Sequence, residues 1–200
     1  MKKIFDTILK SGSVIALAGS VSSGKTNNLF NFIEVTKQYN AKKFAYFYHA
    51  EYRESVKGVE FLSTLEELEQ IQQSFIFIDE FLELFKLSDR HSIEMVKRVM
   101  AQVKHNQNIL VLAGVPEYYK KFISAVVDEW VLHKIYFSEL INGSDLKKYV
   151  KSLSGDFVGG TMLNIPLGFM LWRGTLYKVQ YHKELDKKAN GFNMFAKVKK

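Results

Sequence analysis

Gly19-Ser20-Val21-Ser22-Ser23-Gly24-Lys25-Thr26 is the stretch that decides the fold. It matches G-x-x-x-x-G-K-[ST], the spacing of a loop that wraps phosphate. Glycine accepts the dihedrals that let successive backbone N–H groups turn inward, and a helix starting at the loop's end adds the positive pole of its dipole. In that geometry Lys25 reaches the β and γ phosphates of a nucleoside triphosphate, and the Thr26 hydroxyl is a ligand for Mg²⁺. The pattern carries weight only between a strand and a helix, and both are predicted. Ser13-Val-Ile-Ala-Leu-Ala18 is a short apolar run suited to a buried parallel strand. From residue 25 to about residue 39, Leu29, Phe32, Ile33 and Thr36 recur at helical spacing, which places one face on a sheet. All eight loop residues are therefore expected to bind nucleotide, with ATP and Mg²⁺ as the expected cofactors.

A second motif is Phe75-Ile-Phe-Ile-Asp79-Glu80, an apolar strand that delivers carboxylates at its C-terminal end, where open α/β sheets bind ligands. Asp79 is expected to hold Mg²⁺ through its water, and Glu80 to orient or deprotonate the water that attacks the γ-phosphate. A kinase needs no hydrolytic water, so Glu80 favours hydrolysis. Further strands are predicted at 44–49, 109–113 and 130–136. Ser63-Thr-Leu-Glu-Glu offers a capping box for a short helix, and a helix is predicted over 92–105. Ser144 caps another helix, to about 152. The alternation implies a mainly parallel sheet covered on both faces, an α/β three-layer sandwich. The last quarter differs: Gly168-Phe-Met-Leu-Trp172 and Thr175-Leu-Tyr-Lys-Val-Gln-Tyr181, joined at Arg173-Gly174, read as a β-hairpin extension.

Two hundred residues suit one domain, expected over 1–182 with a basic tail at 183–200. The 47% apolar and 24% charged content excludes a disordered chain. Absence of cysteine excludes disulfides, thiolate metal sites and cysteine nucleophiles, and the scattered histidines lack zinc-ligand spacing. No apolar run approaches the roughly 18 to 20 residues that span a bilayer. The N-terminus superficially resembles a secretory signal, but Asp6 and Lys10 interrupt it and cleavage would sever the strand feeding the loop. A cytoplasmic location is expected. Net charge is +7, yet residues 60–94 hold nine acids against two basic residues, so the remainder carries +14. That basic excess suggests a polyanion partner. With arginine only at 53, 90, 98 and 173, any nucleic-acid contact is expected to be with backbone rather than bases. The candidates are Lys120 and Lys121, beside Tyr118 and Tyr119, together with Lys147, Lys148 and Lys151.

Taken together, GSVSSGKT, FIFIDE, the segment RVMAQVKHNQNILVLAGVP at 98–116 and the late hairpin resemble the FtsK/HerA group of P-loop DNA-pumping ATPases, in particular small viral genome-packaging ATPases. The resemblance implies a RecA-like (ASCE) P-loop NTPase with an extra strand, supplied by 109–113, between the two motif strands. It implies ATP hydrolysis coupled to movement of duplex DNA, contact with capsid or membrane proteins of a virion, and assembly into a ring, commonly a hexamer. A ring enzyme completes each site with an arginine from its neighbour, and Arg98 and Arg90 are the candidates. One departure is visible: the family's polar sensor is replaced in Ala113-Gly114-Val115-Pro116, leaving Asn106 or Gln107 to take the role or a different coupling. GSVSSGKT with FIDE is also similar to thymidine kinase, although the absent cysteines and the hairpin do not fit it. A nucleotide-binding switch with little turnover is the third reading.

Overall fold

The computed structural model describes residues 12–86, 90–153, 158–159, 162–166 and 168–179. In chain order the elements are β1 (Ser13–Ala18), α1 (Lys25–Thr36), β2 (Lys43–Tyr46), β3 (Glu60–Phe61), β4 (Phe75–Ile78), α2 (Phe81–Phe85), α3 (Arg90–His105) and β5 (Ile109–Gly114). They continue with α4 (Lys121–Ser124), β6 (Glu129–Leu132), β7 (Ile135–Tyr136), α5 (Asp145–Ser152), β8 (Val158–Gly159), β9 (Met162–Leu163), β10 (Phe169–Trp172) and β11 (Thr175–Lys178). An eight-stranded sheet has the order β11-β10-β6-β1-β5-β4-β2-β3. The run from β6 to β3 is parallel, and β10 and β11 add antiparallel strands beside β6. As expected, β5 lies between the two motif strands.

Alternation along each strand divides the core in two. Val14, Ala16, Ile76, Ile78, Leu110 and Leu112 face one side, where they meet Val96, Val99, Met100 and Val103 of α3. Ile15, Leu17, Phe75, Phe77 and Val111 face the other and meet Leu29, Phe30, Phe32 and Ile33 of α1. Every one of these side chains is essentially removed from water, as period-2 strands sandwiched between amphipathic helices require. This is the predicted three-layer sandwich.

Several boundaries differ from expectation. The run 130–136 does not stay one strand. His133 N–H still donates to Ala18 O, but the Lys134 carbonyl accepts from Ser20 N–H at 2.8 Å. The phosphate loop thus takes the partner a sheet neighbour would have used, and the chain departs into a three-stranded sheet, β7-β9-β8, that the sequence did not suggest. The helix from residue 25 ends at Thr36, and the strand from 44 ends at Tyr46. After Ser63 the chain forms a 3₁₀ helix, Glu66–Gln70, capped otherwise than expected: Glu67, not Glu66, accepts from the Ser63 and Thr64 amides, and no side chain caps the first turn. The hairpin turn forms at Arg173 (φ 48°) and Gly174 (φ 72°), a two-residue turn with both central φ positive. Residues 180–200, including the basic tail and the end of the predicted second hairpin strand, and residues 1–11 lie outside the described residues.

Candidate functional site

β1 and β4 release their chains at one edge of the sheet, because Ala18 pairs in register with Gly114 and Ile78 with Leu112. After β1 the loop turns through Ser22 (φ 59°) and Gly24 (φ 95°) before entering α1. A Cβ on Gly24 would meet nothing, so glycine serves there for its left-handed backbone, whereas a Cβ on Gly19 would strike Ser23 and His133. Val21 is 77% exposed at the loop's tip. Ser23 N–H donates to Ser20 O at 3.2 Å, which closes the turn.

Lys25 is 4% exposed and donates from Nζ to Ser20 O at 3.1 Å, so its ammonium is folded back over the loop. Burial lowers its pKa, opposed by the charges of Glu80, Asp79 and Glu139. Thr26 Oγ1 lies 3.1 and 3.2 Å from the carboxylate oxygens of Asp79, which joins the two motifs by hydrogen bond. Asp79 is 1% exposed; burial, then the charge of Glu80, push its pKa up to about 7, against the pull of Thr26 and Lys25. A buried carboxylate with too little positive charge, beside a hydroxyl, is an oxygen donor set that fits Mg²⁺. Glu80 has left-handed dihedrals (φ 46°, ψ 55°) at the start of α2. Its carboxylate has no hydrogen-bond partner among the described residues, as a group held ready for a ligand or water would be.

This is a phosphate loop facing paired carboxylates, with an extra strand between them. No protein-family model matches the sequence, and no curated protein sequence matches it. The structure is similar to the cytoplasmic domain of the type VII secretion ATPase EccC from Thermomonospora curvata (TM-score 0.59, 13% identity), covering 89% of this chain but 24% of that one. It is also similar to the genome packaging NTPase B204 from Sulfolobus turreted icosahedral virus 2 in complex with ATPγS (TM-score 0.55, 16% identity, 85% of this chain, 97% of that one). The pCW3 conjugation coupling protein TcpA matches with TM-score 0.53 and 15% identity, over 90% of this chain and 63% of that one. The chain shares the fold of these three proteins. It spans a quarter of the EccC chain and nearly all of B204.

Within this fold the expected sensor position becomes intelligible. A Cβ on Gly114 would lie 2.8 Å from Phe81 Cε1 and 3.2 Å from Tyr118 Cδ2. The Phe81 ring, buried directly after Glu80, occupies the space where a side chain from β5 would stand. Asn106 and Gln107 do not substitute. They precede β5, at the opposite sheet edge, a six-residue strand and so about 20 Å away. Asn106 donates there to Ile71 O, and Gln107 accepts from Gln73. Tyr118 does stand at the site's edge: burial, then the Glu80 and Glu83 charges, raise its phenol pKa. Tyr119 is fully buried, its hydroxyl 2.7 Å from Leu112 O and 3.0 Å from Leu17 O, so it pins β1 to β5 and does not meet a nucleic acid.

The basic candidates converge more than their numbering suggests. Asp145 N–H donates to Ser124 Oγ, joining α5 to α4, and a Cβ on Gly143 would sit 3.3 Å from Lys121 Cε. Lys120, Lys121, Lys148 and Lys151 are exposed on these adjoining helices, with Lys148 paired to Asp145 and Lys147 bonded to Asn142. Of the arginines, Arg98 is tied to Glu69 and Glu94 to Lys97, while Arg90 is exposed at the first residue of α3. Glu139 is a site residue that the sequence did not reveal: Ser20 Oγ donates to it at 2.6 Å across 119 positions. His133, beneath the loop, is another. No spacing in the sequence announces either. Among the described residues no helix is long and apolar enough to cross a membrane.

Proposed function

We propose that this protein hydrolyses ATP and uses the cycle to move duplex DNA, and that it packages a viral genome, as the name of the NTPase B204 describes that neighbour. The observation that carries the reading is the Thr26–Asp79 hydrogen bond with Glu80 one residue on, at the mouth of the phosphate loop. Residues 19–26 bind the triphosphate; Lys25 swings from Ser20 O to the β and γ phosphates. Thr26 and Asp79 hold Mg²⁺, whose charge offsets that of the phosphates. Glu80 takes a hydrogen bond from the attacking water and draws off its proton as the oxygen bonds to the γ-phosphorus, while the bond from that phosphorus to the β–γ bridging oxygen breaks and ADP leaves with the electron pair. The protein works as a ring, a hexamer in this reading, with Arg90 or Arg98 of one subunit completing the next subunit's site. The α4–α5 lysines hold the DNA backbone, and partners on a capsid or virion membrane anchor the ring in a host cytoplasm or virion.

Phosphate release from ATP and Mg²⁺, with no nucleoside present, tests this. Release that rises with long duplex DNA and falls at least about a hundredfold in Glu80→Gln, while ATP still binds, is the expected result. No release with or without DNA overturns it, and phosphate transfer to an added nucleoside would instead establish the kinase.

A further inference from the structure

Glu139 belongs to neither motif, yet it stands at the phosphate loop. It ends a 3₁₀ turn, Phe137–Glu139, that follows β7. Its Oε2 accepts from Ser20 Oγ at 2.6 Å and from Tyr136 N–H at 3.1 Å. The same segment grips Ser20 a second time, since Lys134 O accepts from Ser20 N–H at 2.8 Å. Ser20 in turn accepts Lys25 Nζ on its carbonyl. Lys25 therefore rests on a residue that Glu139 holds from the other side, and it feels the Glu139 charge as well as those of Glu80 and Asp79. Asp79 and Glu80 have tasks in the reading above, and Glu139 has none. Both of its hydrogen-bond donors are neutral, so its charge is not cancelled where it stands.

Topology separates Glu139 from the other two carboxylates. The segment 134–139 leaves β6, which flanks β1 on the side opposite β5 and β4. Asp79 and Glu80 thus approach the loop from one flank and Glu139 from the other. A cation at Thr26 and Asp79 offsets the first flank and leaves the second negative. We propose that Glu139 is a specificity-determining residue of this site, whose carboxylate sets how strongly the loop prefers a triphosphate to a diphosphate by opposing the charge that the γ-phosphate adds. The inference rests on the nucleotide reading of the loop. Repulsion grows with the charge of the ligand, and the triphosphate carries more of it than the diphosphate. Lys25 acts in the same sense: Glu139 draws it while the loop is empty, and it must leave Ser20 O to reach the β and γ phosphates. Bonds and charge are separable here, because both hydrogen bonds land on one oxygen, and the amide oxygen of a glutamine can accept them both.

Equilibrium binding of ADP and of the β,γ-methylene analogue of ATP, which is not hydrolysed, each with Mg²⁺, tests this in Glu139→Gln, Glu139→Ala and Glu139→Asp. The readout is the ratio of the two affinities within each protein, which cancels any loss in the folded fraction. Glu139→Gln removes the charge and keeps both bonds. It should raise the triphosphate-to-diphosphate ratio about fivefold, the effect of one unit charge at close range in a water-like medium. Glu139→Ala removes charge and bonds together and should raise the ratio by a similar factor, so the result does not hang on one variant. Glu139→Asp keeps the charge and should stay near the wild-type ratio. A ratio unchanged or lowered in either charge-free variant, or raised in Glu139→Asp as far as in Glu139→Gln, overturns the role of the charge while leaving the nucleotide reading intact. Failure of both ligands to bind wild type overturns the nucleotide reading and this inference with it.

Discussion

Replacing Asp79 by Asn should make the ligand-free protein's stability less dependent on pH, with a magnitude that follows from its burial. The carboxyl is 1% exposed and its pKa stands near 7, against 3.8 for the ordinary group. A raised carboxyl pKa means the folded state keeps a proton that the unfolded chain gives up. Its contribution is therefore complete below pH 3.8 and is lost as pH rises through 7. Integrating proton uptake from pH 5 to pH 8 gives a wild-type loss of about 2.5 kcal/mol from this group alone. His133 works in the opposite sense: with its pKa lowered from 6.5 to about 3, its penalty grows as pH falls below 6.5. Raw stability curves therefore mix the two. Comparing wild type with Asp79→Asn at each pH cancels His133, on which the Asp79 charge does not act; Lys25 and Tyr119, which do feel that charge, ordinarily titrate above this interval. Urea unfolding should show the variant gaining on wild type by about 2.5 kcal/mol between pH 5 and pH 8. A difference that stays flat over that interval would refute a buried carboxylate short of positive charge, and with it the electrostatic case for a cation at Thr26 and Asp79.

Gly114→Ala should destabilise the fold by about 1–3 kcal/mol, the usual penalty of overpacking, because its Cβ would meet Phe81 at 2.8 Å. Phe81→Leu in the same chain should return part of the loss, and urea midpoints of the single and double variants check this. Charge reversal at Lys121 and Lys147 should abolish stimulation of phosphate release by DNA and spare DNA-free release. The salt dependence of DNA binding should fall by about one unit of slope per lysine, read by titration at several ionic strengths.

How much the sequence disclosed tracks how local each feature is. The strand–loop–helix unit at 13–36, the strand ending in Asp79-Glu80, the cap at Ser144 and the tight turn at Arg173-Gly174 each consist of residues a few positions apart, so spacing alone reveals them. Ser144 Oγ does accept from Lys147 N–H at 3.2 Å. Features that depend on distant partners stayed hidden. The Ser20–Glu139 bond joins segments 119 residues apart, and His133 reaches the loop only because β6 lies beside β1. The split after β6 arose the same way, from Ser20 claiming the Lys134 carbonyl. Gly114 is the mixed case. The sequence exposed a missing polar side chain, but only packing explains it, since Phe81 lies on the other motif strand's exit.

The charges gathered at the loop constrain what completes the site. Three carboxylates, Glu80, Asp79 and Glu139, act on Lys25, and Lys25 is the cation that acts on Asp79. A triphosphate adds further negative charge to a site already short of positive charge. In a water-poor setting that imbalance costs more than it does in bulk solvent. On the proposed nucleotide reading, binding would demand positive charge from outside: Mg²⁺ at Thr26 and Asp79, and a further cation for the oxygens that Lys25 does not reach. The two arginine candidates are unequal in this respect. Arg98 is bonded to Glu69 and sits eight residues into α3, about 12 Å along the helix from its start. Its recruitment would break an existing pair and leave Glu69 uncompensated. Arg90 opens α3, which begins at the sheet edge where β4 ends and the carboxylates stand, and its side chain is exposed. In the ring proposed above, delivery to a neighbouring subunit would therefore cost Arg90 little, and electrostatic need together with position favours it over Arg98.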